Sequence, residues 1–213
     1  MAGPPIPLAD VALAFFIGMG PIKIVAAFLV VTHDARPEVR RQVAIRTVTA
    51  ATITAVSLVV AGVVVFRLFH LSAASLVIGG AIVMLGVGLR TVLAPAETYE
   101  VVPLHGSHDL YRRAIHPLAV PDLLNPAGIA AAILLSAEVA EVGGFIGGIV
   151  IVLAVAALDL AVLLVVARLG DRVHLDVVTI LERLFGMLLV AVAIQLLLYG
   201  LAQAGVIDFG AVQ

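Results

Sequence analysis

The chain has 213 residues, 63% of them hydrophobic and only 12% charged. A soluble domain carries about a quarter charged residues, so this composition, with a mean hydropathy of +1.23, excludes a chain wetted on all sides and makes lipid its main solvent. The net charge of −2 comes with no basic stripe that could track a phosphate backbone, which argues against nucleic-acid binding; the absence of cysteine excludes disulfides, thiolate metal sites and cysteine nucleophiles.

Met1 to Pro5 carries no basic residue ahead of the first apolar run, so that run reads as a retained span and not as a signal peptide. Six apolar stretches follow in order: Leu8–Val31, Val43–Phe66, Leu71–Leu93, Ile115–Ala137, Gly143–Val166 and Leu184–Ala204. Each is long enough to cross a hydrocarbon core of about 30 Å at about 1.5 Å per residue. Only helices or closed barrels satisfy their backbone in lipid. The runs are continuous and do not alternate, which selects helices. The fold expected is an all-α integral membrane protein of six transmembrane helices.

Ten of the twelve Lys and Arg residues fall on one side of this topology: Arg36, Arg40, Arg41 and Arg46, then Arg90, Arg112 and Arg113, then Arg168, Arg172 and Arg183. The opposite side holds only Arg67, and Lys23 lies inside span 1. The positive-inside rule places the ten in the cytoplasm and both termini outside.

Shifting the chain by 105 residues lays Pro21–Leu29 on Pro126–Leu134, with Pro, Ile, Ala, Ala and Leu identical. At an offset of 106, Gly80 and its apolar run fall on Gly186 and its run. This spacing predicts two repeats within one membrane domain: residues 8–93 and 115–204, joined by a polar cytoplasmic linker over 94–114. With three spans in each, the second repeat must cross the membrane in the opposite sense.

Two spans are interrupted near their centres. Span 1 holds Gly18-Met19-Gly20-Pro21, and span 4 holds Pro117, Pro121 and Asn125-Pro126-Ala127-Gly128. Proline removes a donor and clashes one turn back. Matched breaks in two repeats point to a binding site near the bilayer midplane, where freed backbone groups and half-helix N-termini can hold a small polar solute. The candidate solute-binding residues are Gly20, Pro21, Lys23, Asp122, Asn125, Pro126 and Gly128. Ionisable groups at depth are costly and normally pair or face a wet cavity. This suggests a Lys23–Asp122 or Lys23–Asp159 pair, either as a structural lock or in contact with solute or a coupled proton. Asp159 in span 5 maps onto Thr54 in span 2, one helical face from Thr47. Asp159, Thr54 and Gln195 are therefore candidates for the pathway of a coupling ion. His105, His108, Asp109 and His116 lack a second ligand cluster at zinc-like spacing, so no metal and no cofactor is expected.

The stretch Pro117–Ile129, with its three prolines, together with Pro21-Ile22, Gly79-Gly80 and Arg183-Leu184-Phe185-Gly186 running to Gln195 and Tyr199-Gly200-Leu201, resembles the MarC-related multipass membrane proteins, also called the neutral amino acid transporter family. The resemblance covers nearly the whole chain. It implies six spans, a bacterial or archaeal cytoplasmic membrane and, for some members, transport of small neutral amino acids such as alanine and glycine. The chain departs from the family where the breaks lie. The family usually reads Asn-Pro-Ile-Gly in span 1 against Gly20-Pro21-Ile22-Lys23 here, and Gly-Pro-Gly in span 4 against Asn125-Pro126-Ala127.

The function expected is a secondary transporter of small polar solutes by alternating access, driven by a proton or sodium gradient, by exchange or by the solute's own gradient. No GxxxxGK[ST] loop is present to bind a nucleotide. No nucleophile–base pair points to an enzyme. The other classes are a passive ion or metal-ion channel lined by Asp122, Asn125 and Asp159, and a membrane protein without transport activity. Its partners are then lipid, a small solute and a coupling ion; sequence leaves the oligomeric state open.

Overall fold

The computed structural model describes residues 8–70, 72–93, 107–116, 118–137, 142–170 and 175–207. Among them the chain is helical: α1 (Leu8–Met19), α2 (Pro21–Val31), α3 (Pro37–Phe69), α4 (Ala73–Leu93), α5 (Ser107–Ile115), a π-helical turn (Leu118–Leu123), α6 (Pro126–Ala137), α7 (Val142–Leu169) and α8 (Leu175–Gln203).

Prolines set the helix starts. α2, α3 and α6 each begin on one: Pro21, Pro37 and Pro126. The N–H that proline lacks is one that a first turn leaves unpaired, and its φ is already helical. The residue before each proline is pushed out of the helical region; Gly20 lies at φ −63°, ψ 158° and Arg36 at φ −63°, ψ 152°. The proline that interrupts span 1 thus also starts its second half. In span 4, Pro121 holds Val120 extended at φ −140°, ψ 121° inside the π-helical turn. The Leu124 N–H reaches back to the Ala119 carbonyl at 2.9 Å, and the chain bends before α6.

The expected break in span 4 is present: Ile115–Ala137 is divided ahead of Pro126, and its apolar second part, α6, has 12 residues and rises only about 18 Å. Among the described residues, five helices are long and apolar enough to cross a membrane: Ala9–Val31 taken across its break, Pro37–Gly62, Ala73–Leu93, Ile146–Leu169 and Val177–Gln203. Of the expected linker, residues 94–106 lie outside the described residues and 107–114 belong to α5.

The broken helices form the core. Of the first span 76% is buried, against 28% to 39% for the other four. α6 lies beside it, packed on α1, α3 and α4, while α3 pairs with α7 and α4 with α8. The outer helices keep one inward stripe and turn large aliphatic side chains outward, among them Ile53, Val64, Ile82, Ile146, Val150 and Leu188. Such faces are unremarkable in hydrocarbon. The glycines divide the same way. Gly80 is packed under Leu134, and a Cβ at Gly88 would stand 2.8 Å from Val190, whereas Gly79 and Gly86 face open space.

Three arginine-bearing segments gather at one end. Arg40 is 9% exposed; its Nε donates to the Thr32 carbonyl at 2.9 Å and its Nη2 to the His33 carbonyl at 2.6 Å. It therefore caps the carbonyl end of α2, the negative pole of that helix. Its Nη1 lies 2.5 Å from where a Gly170 Cβ would be, at a residue with φ +55°, so α7 ends where α3 begins. α5 docks beside this lock: Tyr111 donates to the Gln42 side chain and lies 4.0 Å beneath the Arg46 guanidinium.

Arg40→Met removes two charge-assisted hydrogen bonds, one buried and one partly buried. We expect a loss of about 3 kcal/mol, read as a lower unfolding midpoint in detergent, with the neighbouring exposed Arg41→Met close to wild type.

Candidate functional site

The two breaks meet. A Cβ on Gly18 would lie 2.7 Å from the Gly128 nitrogen and 2.9 Å from its Cα; one on Gly128 would lie 3.3 Å from the Gly18 carbonyl carbon. The backbones touch, and only glycine allows it. Gly20 and Pro21 are buried next to this crossing, and a Cβ at Gly20 would collide with the Phe16 carbonyl. α1 is braced from outside the crossing by an edge-to-face pair, Phe16 with Phe185 of α8, with ring centroids 6.1 Å apart.

The two half-helix starts differ. Asn125, 7% exposed, turns its Oδ1 back to accept from the N–H groups of Ala127 at 2.9 Å and Gly128 at 3.0 Å. It caps α6 as an N-terminal asparagine does. Gly20 stands at the same place before α2 and supplies no side-chain cap. The first turn of α2 has no acidic residue; its third residue is Lys23.

The structure therefore brings Gly20, Pro21, Asn125 and Gly128 around one crossing, with Pro126 exposed at the start of α6. Asp122 is half-buried within the π-helical turn and has an interaction partner. The Lys23 side chain lies outside the described residues, and with it the expected pairing to Asp122 or Asp159. Asp159 is completely buried on α7. Thr54 is half-buried, and its hydroxyl donates to the Ala50 carbonyl one turn back at 2.9 Å. Gln195 is exposed on α8, off the stripe of Leu189, Ala193 and Leu196 that faces inward; it does not converge on the crossing in this chain. Gly18, buried Thr47 and Arg40 carry more of the geometry than their sequence context suggested. The sign was there for Gly18, part of the same Gly-Met-Gly-Pro interruption, and for Thr47, one helical face from Thr54.

A buried pair of broken helices flanked by two pairs of long apolar ones defines a polytopic α-helical membrane protein. Comparison with known proteins then gives the family. The model of the MarC family of integral membrane proteins matches residues 7–204, and the chain belongs to that family. It is similar to the UPF0056 membrane protein MJ1677 of Methanocaldococcus jannaschii, 26% identical over 187 residues, which are 87% of this chain and 91% of that one. It is also similar to the UPF0056 membrane protein YvbG of Bacillus subtilis, 24% identical over 201 residues, 91% and 93% of the two chains. No solved structure matches the chain.

Gly18→Val should lower stability by about 1–3 kcal/mol, since neither backbone can withdraw without moving a helix. Asn125→Ala should lower it by about 1 kcal/mol through the lost cap. Unfolding in mixed micelles measures both.

Proposed function

We propose that the protein is a secondary transporter of small polar solutes, with neutral amino acids such as alanine or glycine its first candidates. It works by alternating access in the cytoplasmic membrane, with both termini outside. The observation that carries this reading is the backbone contact of Gly18 with Gly128 at the meeting of two broken helices. Broken helices enclosed by protein are where transporters expose backbone groups to a solute. A glycine contact has no interlocking side chains to withdraw, so the two halves can part there at low cost.

The packing supports an inverted repeat. α4 packs on α8 and α3 on α7, each helix against its own counterpart. α2 meets α7 and α8, as its counterpart α6 meets α3 and α4; α1 meets α6, as the π-helical turn meets α2. A two-fold axis in the membrane plane produces such exchanges. Residues 36–46, Arg112, Arg113 and the end of α7 gather at one end of the bundle, which supports a single cytoplasmic face.

The unequal helix starts suggest how a zwitterion would sit. Asn125 already fills the N-terminus of α6, while α2 begins without a side-chain cap and with Lys23 in its first turn. A cation there opposes the helix dipole, and a solute carboxylate would relieve it. The solute's ammonium group is left to Asp122.

Purified protein in liposomes should carry labelled alanine or glycine with saturable kinetics. Lys23→Ala and Asp122→Asn should each reduce the initial rate roughly tenfold, the equivalent of about 1.4 kcal/mol. Unchanged flux in both variants would reject the site. Flux that never saturates, with unitary current steps in a planar bilayer, would mean a channel instead.

A further inference from the structure

We propose that Thr47 and Asp159 form a monovalent-cation site between α3 and α7, filled by sodium or by a proton. Both residues are completely buried. Neither oxygen of Asp159 has a hydrogen-bond partner, and neither has the hydroxyl of Thr47, among the described residues. The threonine is the more telling of the two. Thr32, Thr52, Thr54 and Thr91 all donate to the carbonyl one turn back, at 2.7 to 2.9 Å. That bond is the ordinary way for a helical threonine to satisfy itself in an apolar setting. Thr47 forgoes it, and its oxygen is left as a free ligand.

The register brings the two residues to similar depth. Arg40 touches the Gly170 position, so α3 and α7 run antiparallel from that end. At the rise of a helix, Thr47 lies about 10 Å and Asp159 about 16 Å along its own helix from the contact, a difference of roughly one turn. Both sit on inward stripes, Thr47 with Val43, Ala44, Val48 and Ala51, and Asp159 with Val152, Val155, Ala156 and Leu163. Asp159 is near the middle of the apolar span Ile146–Leu169.

A carboxylate at that depth needs a neutralising charge. The elements packed on α7 offer few. α6 has no titratable residue, α1 has only Asp10 near its start, and α2 has only Lys23. On α3, Arg40 is bound to the Thr32 and His33 carbonyls, Arg46 covers Tyr111, and Glu38 and Arg41 are exposed at the helix start; Arg67 lies toward the far end. On α7 itself Arg168 is exposed in the last turn. Two carboxylate oxygens and a hydroxyl are hard donors suited to an alkali ion or a proton. The site does not rest on the transport reading, because a bound cation stabilises the fold even in a protein that moves nothing.

The test is thermal unfolding of the full chain in detergent, with sodium chloride exchanged for choline chloride at fixed pH, and with pH varied in choline alone. Wild type should gain stability with sodium, saturably, if sodium is the occupant, or with proton activity alone if the proton is. Asp159→Asn should abolish the response. Thr47→Val, which removes no charge, should raise the half-saturating sodium concentration roughly tenfold, or shift the proton response by about one pH unit; it decides the matter even if Asp159→Asn fails to fold. Lys23→Met should keep the response. A wild type indifferent to both cations, a Thr47→Val variant with an unmoved midpoint, or a response that appears only in Lys23→Met would overturn the proposal, the last by making Lys23 the counter-ion.

Discussion

Hydrocarbon gives a broken helix nothing to hydrogen-bond with, and the rest of this fold follows from that constraint. The turns at Gly20 and Asn125 have to be enclosed by protein. The span that contains the first is accordingly more deeply buried than the other four long spans among the described residues, and the helices that stay unbroken flank it. The flanking helices pair through small residues where they touch, as at Gly88 and Val190, and present aliphatic side chains elsewhere. Sequence and solvent together thus assign an inside and an outside role to each helix before any functional residue is considered.

The lock at the arginine-rich end solves a related problem. α2 ends in a turn whose backbone N–H groups reach back to the Phe28, Val30 and Thr32 carbonyls, and two side chains add to that. Thr32 supplies one remedy by donating its hydroxyl to the Phe28 carbonyl at 2.7 Å, and Arg40 supplies another from α3. Because the same guanidinium lies against Gly170, it also sets where α7 stops relative to α3. A single buried cation therefore sets the register of three helices, and that register places Thr47 and Asp159 at comparable depth.

Most of the outer architecture was legible in the sequence, because hydropathy and length report directly on lipid-facing helices. α3, α4 and α7 fall close to the predicted spans, and both breaks lie at the predicted prolines. In span 4 the break was legible from Pro121 and Asn125-Pro126; how short the apolar part after it is was not, because a hydropathy window averages over residues that bend the chain without making it polar. α5 was hidden by its polarity; what holds it is tertiary, the contact of Tyr111 with Gln42 and Arg46. Arg40 could be counted as a cytoplasmic charge but not recognised as buried, since nothing local distinguishes it from Arg41. Gln195 stood out by depth, and Thr54 by its repeat match to Asp159. One lies off the inward stripe of α8, and the other is satisfied by its own backbone.

The two half-helices begin alike, each with proline in its first position, yet one is capped and the other is not. In a symmetric pair, a solute would meet two equivalent positive ends and gain no orientation from them. Here the α6 end is neutralised by Asn125, whose oxygen takes the N–H groups an anion would use. The α2 end keeps its dipole and adds Lys23 to it. The substitution of glycine for asparagine before Pro21 and of asparagine for glycine before Pro126, relative to the usual family pattern, reverses which half carries the cap. Polarity at the crossing is therefore carried by side chains: Asn125 satisfies the start of α6, and no side-chain cap satisfies the start of α2.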